Sequence, residues 1–254
     1  VTSFLGYDAN SGSYFYESNQ EGPLYKAIYK INAKGVETKL STLKGTNTAV
    51  FNPSCTYFIN RYSSSSEPLV VTVCDARGKT LRTLEDNAAL KTFAAQSQLP
   101  VKEFFTCPNA AGEPMNGYML KPLDFDPSKR YPVVMSQYSG PGSQSVLDDW
   151  KVDWEYYLAS QGFIVACVDG RGTGGRSRAY ETAVYMHLGK YETEDQVAGA
   201  RYMSSLPYVD GNRIGIYGWS YGGYETLMAM STGGGIYRAG VAIAPVTDWR
   251  YYDT

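Results

Sequence analysis

The sequence has 254 residues, 23 Lys and Arg against 25 Asp and Glu, one His, and a net charge of −2. That balance, without any basic block, argues against nucleic acid or an anionic membrane as partner, and no apolar run approaches the ~18–20 residues of a membrane helix. The length allows one large or two ordinary domains, and 23 tyrosines favour sheets and peptide- or carbohydrate-facing surfaces.

Residues 1–98 read as successive short strands: Ser13–Ser18, Leu24–Ile31, Ala49–Phe51, Tyr57–Tyr62, Leu69–Cys74 and Lys79–Leu84. Gly, Asn, Asp, Ser or Pro bounds each run, the signature of an all-β sandwich or propeller. A strand, strand, Gly-turn pattern occurs near Lys34-Gly35 and again near Arg77-Gly78, as in two propeller blades of four strands. Two blades cannot close a propeller, so the segment is either a small sandwich or the end of a larger propeller. Ser63–Ser66 reads as a loop tip, with a linker as the alternative. Cys55, Cys74, Cys107 and Cys167 lack any C-x-x-C or Cys/His spacing, which leaves a zinc site unsupported; no metal or cofactor is expected. Their even number permits disulfides, Cys55 and Cys74 being the pair nearest in sequence.

From residue 99 the pattern changes. Glu103–Cys107 and Met115–Lys121 flank a plausible hairpin turn at Asn109–Gly112. Beyond Pro122, strands at Tyr131–Ser136, Phe163–Asp169, Arg213–Tyr217 and Ala239–Pro245 alternate with helices over Trp150–Gln161 and Glu192–Ser205. Near-continuous apolar strands alternating with helices predict a parallel sheet covered on both faces. Residues 99–254 are therefore expected to form an α/β domain.

Gly218-Trp219-Ser220-Tyr221-Gly222-Gly223 then has the form G-x-S-x-G, between a strand-like run and the helical Tyr224–Met230. In a nucleophile elbow the serine sits on a strained strand-to-helix turn, and flanking glycines let the two elements approach closely. Ser220 is the expected nucleophile and the domain an α/β-hydrolase. A serine needs a base held by a carboxylate, and in this fold acid and base follow the nucleophile. The only histidine, His187, precedes it and reads as incidental. Asp248 and Asp253 are the only carboxylates after Glu225 and read as structural. The sequence is therefore expected to lack the C-terminal part of the domain, with acid and base.

One oxyanion donor in this fold is the backbone N–H after the nucleophile, here Tyr221. Gln137–Gly142 occupies an early post-strand loop in which the Tyr138 hydroxyl could donate; as sequence it is equally a tight Gly/Pro turn. Gly170, Gly172 and Gly175 formally spell G-x-G-x-x-G, but polar Arg176–Tyr180 follows where a dinucleotide site requires an apolar helix, so a hydrolase loop is expected.

Several ordered motifs together resemble the prolyl oligopeptidase family, in its dipeptidyl peptidase IV subfamily: Gly218–Tyr224, Tyr138–Pro141, Asp169–Gly172, Leu188-Gly189 with Glu194–Gln196, and Ala244–Asp253. The resemblance extends to the first residues, which look like the last propeller blades. It implies a serine exopeptidase that removes N-terminal dipeptides with Pro or Ala in second position through an acyl-enzyme on Ser220. It also implies oxyanion donors at Tyr138 and Tyr221, and a pocket for the proline ring lined by Tyr221, Val246, Trp249 and Tyr252. Without the resemblance, Trp249 and Tyr252 read as core packing. The family's acid, base, amine-gripping glutamates and carboxylate-binding arginine find no counterpart here. The partners so implied are peptides, with a homodimer and an extracytoplasmic location as family tendencies. A tripeptidyl or acylaminoacyl peptidase and an inactive peptidase-like binding protein are the alternatives.

Overall fold

The computed structural model describes residues 2–252. The chain divides into two compact units, Val1–Gln98 with Leu147–Lys151, and Leu99–Val146 with Val152–Thr254. Among the described residues no helix is long and apolar enough to cross a membrane.

The first unit holds two four-stranded antiparallel sheets, each with strands in sequence order: β1 (Ser3–Asp8), β2 (Ser13–Ser18), β3 (Ala27–Ile31) and β4 (Glu37–Lys39), then β5 (Thr46–Phe51), β6 (Tyr57–Ser64), β7 (Glu67–Asp75) and β8 (Thr80–Glu85). Phe15, Ile28 and Leu40 from the first half share one buried cluster with Ala49, Phe58 and Cys74 from the second. Gly35 and Gly78 close the turns after β3 and β7, each with positive φ and an N–H that reaches back three residues, to Asn32 O and Asp75 O, at 2.9 Å. Ser63–Ser66 falls in the β6–β7 hairpin, so it is a turn and not a linker. β1, β4 and helix α1 (Ala88–Gln96) escaped the sequence reading. β4 is three polar residues, and α1 buries none of its side chains. Among the described residues there is no disulfide, and all four cysteines are buried.

The second unit is built on one six-stranded sheet. Its strands are β9 (Lys102–Pro108), β10 (Pro114–Leu120), β11 (Tyr131–Ser136), β12 (Ile164–Asp169), β13 (Val209–Trp219) and β14 (Ala239–Ile243), in spatial order β14-β13-β11-β12-β10-β9. β12, β11, β13 and β14 run parallel, while β10 is antiparallel both to β12 and to its hairpin partner β9. The sheet is thus mixed, not wholly parallel, because a short turn at Asn109–Gly112 can only return the chain antiparallel. The helices are α2 (Trp154–Ser160), α3 (Arg178–Glu181), α4 (Lys190–Ser205) and α5 (Tyr221–Thr232). Side-chain alternation divides the strands between two layers. Ile164, Ala166 and Val168 pack with Val197, Ala200 and Met203 of α4 and Ala229 of α5, whereas Val165 and Leu120 pack with Tyr156 and Ala159 of α2.

Two expectations need correction. The helix expected from Trp150 begins at Trp154, with the Asp153 carboxylate accepting Glu155 N–H as its cap. Leu147–Lys151 belong to the first unit, where Trp150 N–H donates to Ser63 Oγ and the Asp148 carboxylate accepts Ser65 N–H at 2.7 Å. The apolar run Ala239–Pro245 forms a strand only to Ile243.

Candidate active site

Parallel strands of a mixed sheet present their C-terminal ends side by side, and the candidate residues collect there. Ser136 of β11 is in register with Tyr217 of β13, and Trp219 of β13 with Ile243 of β14. The loop after β11, the turn after β13 and the segment after β14 are therefore neighbours.

Ser220 occupies the turn between β13 and α5 with φ 57° and ψ −116°. A positive φ costs a residue with a side chain ~1–2 kcal/mol. Two backbone bonds hold it there, Ser220 N–H to Ile243 O at 2.9 Å and Tyr224 N–H to Ser220 O at 3.0 Å. The glycine at 222 answers a close approach: a Cβ there would lie 2.5 Å from Gln137 O and 3.0 Å from Tyr138 Cα. The same contact brings the Tyr138 loop against the first turn of α5.

That loop is fixed by side chains on both sides of Tyr138. Buried Gln137 donates through Nε2 to Gly222 O (2.7 Å) and Thr226 Oγ1 (3.2 Å), and its Oε1 accepts from Ser139 Oγ at 3.0 Å. Gln196 of α4 donates to Ser139 Oγ at 3.0 Å and to Val168 O at 3.1 Å. Tyr138 itself is 41% exposed on this anchored backbone, while its neighbour Ser139 has φ 59°. Farther along, the buried Asp169 carboxylate accepts Val146 N–H at 2.8 Å and Ser145 N–H at 3.1 Å. Burial outweighs those two donors and pushes Asp169 up to about 6.

Tyr221 opens α5, so its backbone N–H is one of the donors a helix leaves free in its first turn. Its ring lies 6.3 Å from that of Tyr138 and 5.5 Å from that of Trp249, and Trp249 lies 5.3 Å from Tyr252. Val246 is half-buried on the same post-β14 segment. The structure also adds Tyr224, edge-on to Tyr221 at 5.5 Å and to Trp249 at 5.2 Å. One signal for it was available: Tyr221 and Tyr224 are three apart on a helix, hence neighbours on one face. The Tyr221 hydroxyl donates to Glu192 Oε1 at 2.6 Å, and burial first, then this bond, raises its pKa far above the ordinary tyrosine value.

The remaining motifs have structural explanations. The Gly170–Gly175 loop is closed by Asp195, whose carboxylate takes Arg171 N–H at 2.7 Å and the Arg171 guanidinium at 2.8 Å. The next helix starts only at Arg178, behind a Ser177 cap. His187 is exposed, with its ring against Tyr191 at 5.8 Å. Asp248 caps the 3-10 turn Trp249–Tyr251 by accepting Arg250 N–H, and it pairs with the Arg250 side chain at 2.5 Å. Asp253 lies outside the described residues.

Taken alone, this geometry defines an α/β-sheet protein with a serine on a strained strand-to-helix turn beside an aromatic cluster. Comparisons with known proteins then give the family. The model of the prolyl oligopeptidase family matches residues 150–254, and that of the dipeptidyl peptidase IV N-terminal region matches residues 1–69. The chain belongs to the prolyl oligopeptidase family. It is 35% identical over 256 residues to a probable dipeptidyl-aminopeptidase B of Metarhizium robertsii, covering 97% of this chain and 28% of that protein. Identity to dipeptidyl peptidase 4 of Sus scrofa is 35% over 266 residues, 98% of this chain and 34% of that one. The crystal structure of Porphyromonas gingivalis dipeptidyl peptidase 4 superimposes with a TM-score of 0.97 at 52% identity, covering all of this chain and 36% of that one. A putative dipeptidyl aminopeptidase IV from Bacteroides ovatus gives 0.88 at 32% identity. The chain thus spans about a third of the length of these relatives.

Proposed function

We propose that this chain carries the nucleophile, the oxyanion donors and the pocket for the penultimate residue of a serine exopeptidase releasing N-terminal dipeptides with Pro or Ala in second position. The observation that carries the reading is Ser220 at φ 57° at the end of a parallel strand, with the Tyr138 loop and the first turn of α5 packed together beside it. The sheet order supports an α/β-hydrolase domain over residues 99–254. The two four-stranded antiparallel sheets support propeller blades over residues 1–98.

In this reading the Ser220 hydroxyl attacks the carbonyl of the penultimate residue and gives its proton to a base, a role not assigned to any residue of this chain. The oxygen that becomes negative accepts from Tyr221 N–H and the Tyr138 hydroxyl, the first donor set by the start of α5 and the second carried on an anchored loop. The same base returns the proton to the leaving nitrogen as the intermediate collapses, so the rest of the peptide departs as an amine and the dipeptide stays esterified to Ser220, for water to release. Tyr221, Val246, Trp249 and Tyr252 wall the pocket; flat rings match a rigid pyrrolidine and crowd longer side chains.

The test is a panel of Gly-Pro, Ala-Ala-Pro and N-acetyl-alanyl chromogenic substrates on the full-length protein, with fluorophosphonate labelling of Ser220. Turnover of Gly-Pro together with labelling that Ser220→Ala removes is the expected result. Cleavage of N-acetyl-alanyl substrate alone would refute the dipeptidyl mode, and absence of labelling would refute the nucleophile.

A further inference from the structure

Behind the aromatic cluster lies an acidic layer that the mechanism above leaves unused. Glu192, in the first turn of α4, is 1% exposed, and Glu225, in α5, is 0% exposed. Chains of this kind rarely bury carboxyl groups without a partner. Glu192 has one: the hydroxyl of Tyr221, whose ring would wall the pocket. Its second oxygen, Oε2, is buried without a hydrogen bond among the described residues.

The two carboxyl groups differ in their surroundings. Burial raises Glu225 well above the ordinary carboxyl range; Thr193 opposes the rise, while Glu192 and Asp195 add to it. Among the described residues neither Glu225 oxygen finds a hydrogen bond of normal geometry. Burial also raises Glu192, but there the Tyr221 hydroxyl is the first influence to lower it. Of the two carboxyl groups it is Glu192 that has a hydroxyl donor in place, and that donor is Tyr221.

What this bond does follows from the other contacts of the Tyr221 ring. Its ring neighbours are Tyr138, Tyr224 and Trp249, at 6.3, 5.5 and 5.5 Å between centroids. Aromatic contacts of that kind tolerate tilting and sliding at little cost. The hydrogen bond at the far end of the ring does not, since it sets depth and direction together.

We propose that Glu192 is a positioning residue for specificity: by holding the Tyr221 hydroxyl it fixes the ring that walls the pocket, and so sets the preference for proline over alanine in second position. This rests on the peptidase reading above.

The experiment measures kcat/KM of the full-length protein for Gly-Pro and Gly-Ala chromogenic substrates. Glu192→Ala and Tyr221→Phe are each expected to lower the Pro/Ala ratio about tenfold, chiefly through the KM of the proline substrate. The double variant should lose no more than the worse single one, since both remove the same bond. Glu192→Gln, whose amide oxygen can accept the same hydroxyl, should bring the ratio back to within about threefold of wild type. A ratio within twofold of wild type in Glu192→Ala and Tyr221→Phe, or additive losses in the double variant, overturns the proposal. If Glu192→Ala does not melt cooperatively, Tyr221→Phe against Glu192→Gln decides it alone. A wild-type protein that cleaves neither substrate refutes the peptidase reading itself, an outcome distinct from an active enzyme whose ratio does not move.

Discussion

Tyr138→Phe separates catalysis from folding at a single oxygen. The Tyr138 side chain is 41% exposed, its ring contact to Tyr221 survives the change, and its backbone is held by Gln137 and Ser139. No hydrogen bond of its hydroxyl is seen among the described residues, so deleting that oxygen orphans no buried group. The folding free energy should then change by less than ~0.5 kcal/mol, as for other surface substitutions. In the transition state the loss is larger. Removing one preorganised donor to an oxyanion costs ~2.7–4 kcal/mol, or about 10²–10³ in kcat. An exposed donor meets competing water, so we expect the lower end, about 100-fold. The assay is steady-state release of chromophore from a Gly-Pro substrate by the full-length protein, with a thermal melt in parallel. The expected pattern is a lower kcat, KM within twofold and an unchanged midpoint. A kcat within threefold of wild type would remove Tyr138 from the oxyanion site, and a large drop in the midpoint would show that the hydroxyl is structural.

Three further predictions concern the frame around this site. Ser220→Gly should abolish turnover yet raise stability by up to ~1 kcal/mol, because relief of ~1–2 kcal/mol at the positive φ exceeds the ~0.5–1 kcal/mol of added freedom in the unfolded chain; a lower denaturant midpoint would contradict the strain. Gly222→Ala should destabilise by ~1–3 kcal/mol, since the new methyl meets backbone at Gln137 and Tyr138; an unchanged melt would mean the turn yields freely. Asp169 is raised to about 6 against an ordinary value near 4, so its native form keeps a proton that the unfolded form has released. Stability from this group therefore falls as pH rises from about 4 to 6, by roughly 3 kcal/mol for a shift of about two units. Asp169→Asn should flatten that slope in urea titrations, and parallel wild-type and mutant curves would refute the assignment.

The serine turn was legible in sequence because its demands are local. A strand run, glycines where two backbones must meet and a helical run with neither Gly nor Pro all lie within about twenty residues. Six of the eight strands of the first unit were legible for the same reason, since Gly35 and Gly78 close turns that need positive φ, whereas β1 and β4 were not. What stayed hidden depends on pairs remote in sequence. Gln137 and Gly222 meet only because β11 and β13 are adjacent, and Glu192 meets Tyr221 only because α4 packs on α5. No periodicity announces such contacts. The helix start at Trp154 failed for a related reason: Trp150 has the right spacing, but its N–H donates to Ser63.

The position of Ser220 is consequently a property of three strands and not of the hexapeptide that names the motif. A strained φ persists only where the surroundings over-determine it. Here the amide of Ser220 is fixed by Ile243 of β14, its carbonyl by Tyr224 of α5, and the first turn of α5 by Gln137 from the end of β11. Gln137 also bonds Ser139, which follows Tyr138, so one side chain restrains both the nucleophile turn and the loop of the proposed oxyanion donor. Their separation is thereby set by a buried amide rather than by either loop. Substituting Gln137 should accordingly disturb Ser220 and Tyr138 together, whereas Tyr138→Phe disturbs neither, and that contrast is what makes the single-oxygen experiment interpretable.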